Sequence, residues 1–258
     1  MTESATTGPA EPRATKGDGT HRATGGAAEG PVISLRGVTK DYVVGKVKVP
    51  ALRGVDLEIA EGEFAAVVGP SGSGKTTIMN LVGGLDVPTA GTVKVAGVDL
   101  STLSSNRLAD LRLRSIGFVF QAYNLIPVLS ARENVEFVLL LQGVGRAQRR
   151  KRALAALADV GLADLAGRRP AEMSGGQQQR VAVARAIVGT PALVLADEPT
   201  ANLDSKTGRD LLGLMAELNR DRKVTFVFST HDPNVMEHAR RIVTLVDGKV
   251  ESDHTKAE

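Results

Sequence analysis

One stretch of the chain has the residue types of a phosphate cradle: Gly69-Pro70-Ser71-Gly72-Ser73-Gly74-Lys75-Thr76. It fits the spacing G-x-x-x-x-G-K-[ST]. Its glycines let backbone N–H groups curl around phosphate oxygens, and a helix starting there adds the field of its dipole. Lys75 is expected to reach the β- and γ-phosphates and the Thr76 hydroxyl to hold Mg²⁺, with Thr77 the next nucleotide-binding residue. Triphosphate chemistry also needs an acid for the metal and a group that activates water. Leu193-Val194-Leu195-Ala196-Asp197-Glu198 supplies both. Asp197 suits the metal shell, and Glu198 suits orienting or deprotonating the attacking water. The two segments together predict an NTPase.

Each segment needs a rigid element to aim it. Residues 64–68 are a continuous apolar run ending at Gly69, as a strand buried on both faces reads, and helical periodicity begins after Lys75. Residues 193–196 are also apolar and end at the Asp-Glu pair. That is the carboxyl end of a strand, where open α/β sheets place ligands. Further strands are predicted at residues 32–38, 55–59, 92–95, 116–120, 225–228 and 242–246. Helices are predicted at 106–114, 133–142, 147–160, 177–188 and 206–219. This alternation predicts an α/β fold with a mostly parallel sheet. Residues 124–170 carry no convincing strand, so a helical insertion is expected there. No internal repeat is present, so the chain holds one cassette.

Met173-Ser174-Gly175-Gly176-Gln177-Gln178-Gln179-Arg180 narrows the class. It reads as a Ser-Gly-Gly turn opening a helix whose apolar positions, Val181, Ala184, Ile187 and Val188, recur on one face. That makes a second helix start able to bind anions. The segment resembles the signature of ABC-type ATPases, with Met173 where Leu is usual, a change that conserves volume. The resemblance covers about residues 31–250. It implies a RecA-like P-loop NTPase core, an antiparallel β subdomain, a helical subdomain at about 124–180 and a short C-terminal tail, 251–258. It also implies a head-to-tail homodimer in which Ser174, Gly175, Gly176 and Gln177 of one subunit cover the ATP held by the other.

The same resemblance implies further site residues. Gln121, after the strand at 116–120, takes the place of the Q-loop glutamine, which contacts Mg²⁺ and senses the transport partner. Asp204, in Ala201-Asn202-Leu203-Asp204, matches the D-loop that crosses between subunits; a helix-capping Asp needs no such role. His231, in Ser229-Thr230-His231-Asp232, matches the switch histidine near the γ-phosphate. Tyr42 looks like the aromatic that stacks on adenine. Phe118-Val119-Phe120-Gln121-Ala122-Tyr123-Asn124-Leu125-Ile126-Pro127, the glutamines at 177–179 and Leu195-Ala196-Asp197-Glu198-Pro199-Thr200 are similar to the lipoprotein-releasing and macrolide-exporting group. That group implies transmembrane permease partners with a large extracytoplasmic domain.

Composition sets the bounds around these motifs. The chain has 258 residues, of which 42% are hydrophobic and 24% charged, which excludes a wholly disordered or fibrous protein. Cysteine is absent, so disulfides and thiol nucleophiles are excluded. Residues 1–30 read as a disordered tail: residues 2–30 contain no Val, Ile, Leu, Phe or Tyr, and the apolar core of a signal peptide is missing. No window approaches the ~18 apolar residues that span a bilayer. The expected location is therefore the cytoplasmic face of the membrane, held through a partner. Net charge is only +3, although residues 146–152 concentrate five cations. No aromatic side chain interleaves with them, so they read as the solvated face of a helix carrying Leu154, Leu157 and Val160 inward, and no nucleic-acid partner is expected.

Rival classes fit less well. A soluble ABC-type protein acting on DNA or ribosomes would carry two cassettes or long coiled-coil insertions. A P-loop kinase would have no use for the signature or the switch histidine. The alternative kept open is a cell-division-type ATPase that regulates a membrane complex without transport.

Overall fold

The computed structural model describes residues 1–2 and 30–256. The expected N-terminal tail lies almost wholly outside them. In chain order the elements are β1 (Ile33–Val44), β2 (Val47–Ile59), β3 (Phe64–Val68), α1 (Lys75–Val82), β4 (Ala90–Val95), β5 (Val98–Asp99) and α2 (Ser105–Ser115). There follow β6 (Ile116–Phe120), α3 (Ala131–Leu141), α4 (Arg146–Asp159), α5 (Gly175–Ile187), β7 (Leu193–Asp197) and α6 (Ser205–Arg222). The chain ends with β8 (Thr225–Thr230), α7 (Pro233–His238), β9 (Arg241–Val246) and β10 (Lys249–Thr255).

The apolar runs become the centre of a six-stranded sheet in the order β10-β9-β3-β8-β7-β6. All its pairings are parallel except that of β10 with β9. Such strands must be apolar on both faces, and β3 shows why. Phe64, Ala66 and Val68 feed one core with α3, α4, α5 and α6, while Ala65 and Val67 feed a second with α1 and the other sheet. Phe64 packs tilted against Phe228, with ring centroids 4.7 Å apart, and against Phe226 at 5.7 Å. The second sheet, β2-β1-β4-β5, is antiparallel throughout. Between β6 and β7 the chain forms only helices and turns. There α5 packs against both α3 and α4 and against β6, so the helical stretch is tied directly to an edge strand of the main sheet.

Three expectations are corrected. Residues 251–255 are not a tail but part of β10. Its sequence, KVESDHT, offers one apolar residue, and the strand is held instead by pairing with β9 and by Arg241, which donates to Asp253 at 2.8 and 2.7 Å. The first two strands run much further than 32–38 and 55–59, forming a long hairpin whose outer half is largely exposed, Val43, Val47 and Val49 included. Register shifts within it break the strict alternation by which a strand is read from sequence. Leu154 is 37% exposed; Leu157 and Val160 are buried as expected, and Ala153 and Ala156 take the inward place expected of Leu154. Of the basic run, Arg149 and Arg152 are engaged, donating to the Val144 and Val188 carbonyls, while Arg146, Arg150 and Lys151 are exposed.

Candidate nucleotide site

Parallel pairing in register brings the chemistry to one edge. Val68 pairs with Thr230, Asp197 with Ser229, and Phe120 with Asp197. The residues that follow these strand ends therefore converge: the P-loop after β3, Glu198 after β7, His231 after β8 and Gln121 after β6.

Within the P-loop, glycine is required by space as well as torsion. Gly69 has φ +151°, and a Cβ there would sit 2.1 Å from the Leu245 carbonyl oxygen. At Gly74, φ is +107° and a Cβ would lie 2.7 Å from the Ala51 carbonyl oxygen. Gly74 precedes α1, whose N-terminus has no side-chain cap and no acidic residue in its first turn. Its N–H groups and dipole are thus available to an anion. Lys75 is buried and donates to the Gly69 and Pro70 carbonyls at 2.7 and 2.9 Å, folded back along the loop. Thr76 is exposed on the first turn, whereas Thr77 is buried. The Ser73 hydroxyl is buried without a hydrogen-bond partner, while Pro70, Ser71 and Gly72 are exposed.

At the end of β7 the two carboxylates sit in different surroundings. Burial pushes the Asp197 carboxyl up, and the neighbouring Glu198 charge adds to this, against the Ser229 hydroxyl and the Lys75 ammonium. Metal coordination would offset that desolvation. Glu198 has φ +45°, a left-handed conformation that costs a non-glycine residue about 1–3 kcal/mol. Its amide nevertheless donates to the Ser229 carbonyl at 2.9 Å. Its Oε2 accepts the Thr230 hydroxyl at 2.9 Å and its Oε1 faces His231 Nδ1 at 2.6 Å. A carboxylate only accepts, so this contact assigns the ring proton to Nδ1. Thr230 is fully buried, and its oxygen also accepts from the Asp232 amide at 2.9 Å. An open cleft of about 360 Å³ adjoins these groups, lined by Glu198, Thr200, Leu203, Asp204 and His231.

The remaining predicted residues join through loops. Gln121 Nε2 donates to Asn202 Oδ1 at 3.5 Å, and Asn202 Nδ2 returns a bond to the Gln121 carbonyl at 3.0 Å. Asp204 caps α6, accepting from the amides of Lys206 and Thr207. Ser174 caps α5 in a closed box: its oxygen accepts the Gln177 amide at 3.3 Å and its amide donates to Gln177 Oε1 at 2.9 Å. Gly175 lies under the Tyr123 hydroxyl, 2.6 Å from where a Cβ would be, and Gly176 lies against the Thr207 methyl at 2.4 Å. Tyr42 stands apart from the strand ends, on β1 in the antiparallel sheet.

Three further residues shape the site, and none was singled out from sequence. Thr230 anchors Glu198, Asn202 holds the Gln121 loop, and the fully buried Gln179 donates to the carbonyls of Phe120 and Pro199 at 3.2 and 2.7 Å. All lie inside quoted motifs, yet only burial and distant partners reveal what they do.

The sequence model of the ABC transporter family matches residues 52–201. This chain belongs to the ABC transporter family. As an ABC cassette it is an ATP-binding ATPase with a P-loop NTPase fold. It is 48% identical over 225 residues to the lipoprotein-releasing system ATP-binding protein LolD of Anaeromyxobacter dehalogenans, covering 86% of this chain and 94% of that one. It is 46% identical over 223 residues to the macrolide export ATP-binding/permease protein MacB of Marinobacter nauticus, covering 86% of this cassette but 34% of that longer protein. A solved ATP-binding cassette, dimeric in a post-hydrolysis state with ADP and Pi, superposes with a TM-score of 0.80 at 45% identity, covering 88% of this chain and 99% of that one.

Proposed function

We propose that this cassette binds ATP with Mg²⁺ at the aligned strand ends, pairs head to tail with a second copy, and drives a transmembrane permease. The observation that carries this reading is the convergence of the P-loop, Asp197, Glu198 and His231 through the register of β3, β8 and β7. The P-loop glycines, the α1 N-terminus and Lys75 would bind the phosphates. Glu198, held by Thr230 and His231, would take the proton of the attacking water. Thr76, Asp197 and Gln121 offer a hydroxyl, a carboxylate and an amide, an all-oxygen set suited to a hard cation that shares its other positions with phosphates and water. Among the described residues no three His, Cys, Asp or Glu side chains gather into a metal site. When bound, Mg²⁺ supplies neutralisation of phosphate charge.

Ser174, Gly175, Gly176, Gln177 and Asp204 would complete the site of the opposite subunit, and Tyr42 would stack on adenine. No helix among the described residues is long and apolar enough to cross a membrane. Membrane attachment on the cytoplasmic side would come through a permease, a reading supported by the likeness to MacB, an ATP-binding/permease protein; a large extracytoplasmic domain on that permease is part of the same proposal. The test is Glu198→Gln. It should bind ATP with wild-type affinity, lose hydrolysis by about 10²–10⁴-fold, and elute at twice the monomer mass only with ATP. Wild-type turnover would overturn the assignment of Glu198, and a monomer under all conditions would overturn the pairing. Purification from detergent-solubilised membranes should recover a polytopic protein; ribosomes or DNA in its place would overturn the membrane reading.

A further inference from the structure

Tyr42 does not stand free on its strand. Its hydroxyl donates to Asp86 Oδ2 at 3.0 Å, and the Lys40 ammonium lies over its ring, 5.0 Å from the centroid. That ammonium is shared: it donates to Asp86 Oδ1 at 2.7 Å and to the Val87 carbonyl at 2.8 Å. The Val87 amide donates to the same carboxylate oxygen at 2.7 Å. Burial pushes the Asp86 carboxyl up, but Lys40, the Val87 amide and the Tyr42 hydroxyl outweigh it and hold it below the ordinary range. The Lys40–Asp86 pair is well covered, with side chains 11% and 27% exposed.

The position of Asp86 matters more than its charge. It lies four residues beyond the end of α1, and both its own amide and that of Leu85 donate to the carbonyl of Asn80, within α1. That helix begins at Lys75 and carries the phosphate cradle on its other end. The aromatic ring is therefore bolted to the far end of the same rigid rod that presents the N–H groups to phosphate.

We propose that Asp86 and Lys40 are positioning residues for the base of the nucleotide. Asp86 fixes the distance and tilt of the Tyr42 ring relative to the P-loop. Lys40 caps one ring face, so the base stacks only on the other, and its charge biases the ring toward that single arrangement. The two act through Tyr42 and not through the phosphates. This inference rests on the proposal that Tyr42 stacks on adenine.

The experiment measures the dissociation constants of ATP and of inorganic tripolyphosphate, both with Mg²⁺, for the full chain. Tyr42→Ala should cost ATP its advantage over tripolyphosphate. Asp86→Ala and Lys40→Met should each weaken ATP roughly tenfold, the scale of one charge-assisted bond, leave tripolyphosphate within about twofold, and add nothing in the Tyr42→Ala background. Equal weakening of ATP and tripolyphosphate by Asp86→Ala would overturn the inference alone, placing the pair in support of the P-loop. So would effects that add to Tyr42→Ala. Unchanged ATP affinity in Tyr42→Ala would overturn the stacking reading itself and the inference with it. Thermal melts check folding, and Lys40→Met, which keeps the Asp86–Tyr42 bond, serves if Asp86→Ala does not fold.

Discussion

Thr230→Val removes one hydroxyl from a fully buried site and keeps the branched shape of the side chain. Two bonds go with it. The hydroxyl no longer donates to Glu198 Oε2, and the Asp232 amide loses its acceptor. A bond to a charged group contributes about 1.5–3 kcal/mol. If that energy is what keeps the carboxylate aimed, its loss lowers kcat by about 10- to 150-fold, at 1.36 kcal/mol per decade. Asp232 is only half-buried, so water replaces the second bond in part, and the stability cost is about 1 kcal/mol, or roughly 2–4 °C in Tm. His231 still holds Oε1, so kcat does not fall as far as in Glu198→Gln. Steady-state ATP hydrolysis, ATP binding and a thermal melt separate these effects. The expected result is a fall in kcat with KM and ATP affinity within about twofold, and recovery in Thr230→Ser, which restores the donor. A Thr230→Val protein with wild-type kcat would refute the reasoning, as would Thr230→Ser failing to recover what Thr230→Val loses.

The raised Asp197 carboxyl makes a stability prediction with a definite sign. Its folded pKa lies above the ordinary 3.8, so below that value both states are protonated and nothing is lost. As pH rises through the folded pKa, the unfolded chain ionises more readily and stability falls. Asp197→Asn should thus raise Tm at neutral pH without nucleotide and lose that gain toward acid. A Tm below wild type at pH 7 would contradict it. At the signature turn, Gly175→Ala should impair hydrolysis by pushing the Tyr123 hydroxyl, 2.6 Å from the new methyl. Adding Tyr123→Phe should restore much of the rate, since the next ring atom stands at 3.6 Å. An ATPase assay with no recovery would show that the turn fails for another reason.

How much was legible depended on where each signal lay. Phe64–Val68 has the same ends in sequence and in space because a strand buried on both faces is apolar at every position; Ile116–Phe120 does too, although it is an edge strand with Phe118 and Phe120 half-buried. The P-loop was legible because its glycines answer a local demand of torsion and space. The outer hairpin of β1 and β2 was not, since solvent covers it and bulges break its alternation. Nor was β10, whose Asp253 means nothing until Arg241 lies beside it. Thr230, Asn202 and Gln179 are polar residues beside stronger motifs. Gln179 meets Phe120, 59 residues away, and Asn202 meets Gln121, 81 residues away. Such pairings exist only after the strands have aligned. The Tyr42–Asp86 bond, spanning 44 residues, is of the same kind.

The closed cap at the start of α5 bears on when two copies would associate. Ser174 and Gln177 already satisfy one another within the chain. A second subunit that merely touched this turn would exchange bonds one for one and gain little. A triphosphate changes that balance, because its oxygens are charged acceptors that a neutral glutamine amide cannot match. The self-satisfied turn would then make the contact conditional. In the proposed pairing, apposition without nucleotide would therefore gain little free energy at this point, and the same surface would become adhesive only once the opposite P-loop is loaded. Release of the terminal phosphate would remove the oxygens that tip the exchange, leaving the Ser174–Gln177 cap as the better partner for itself.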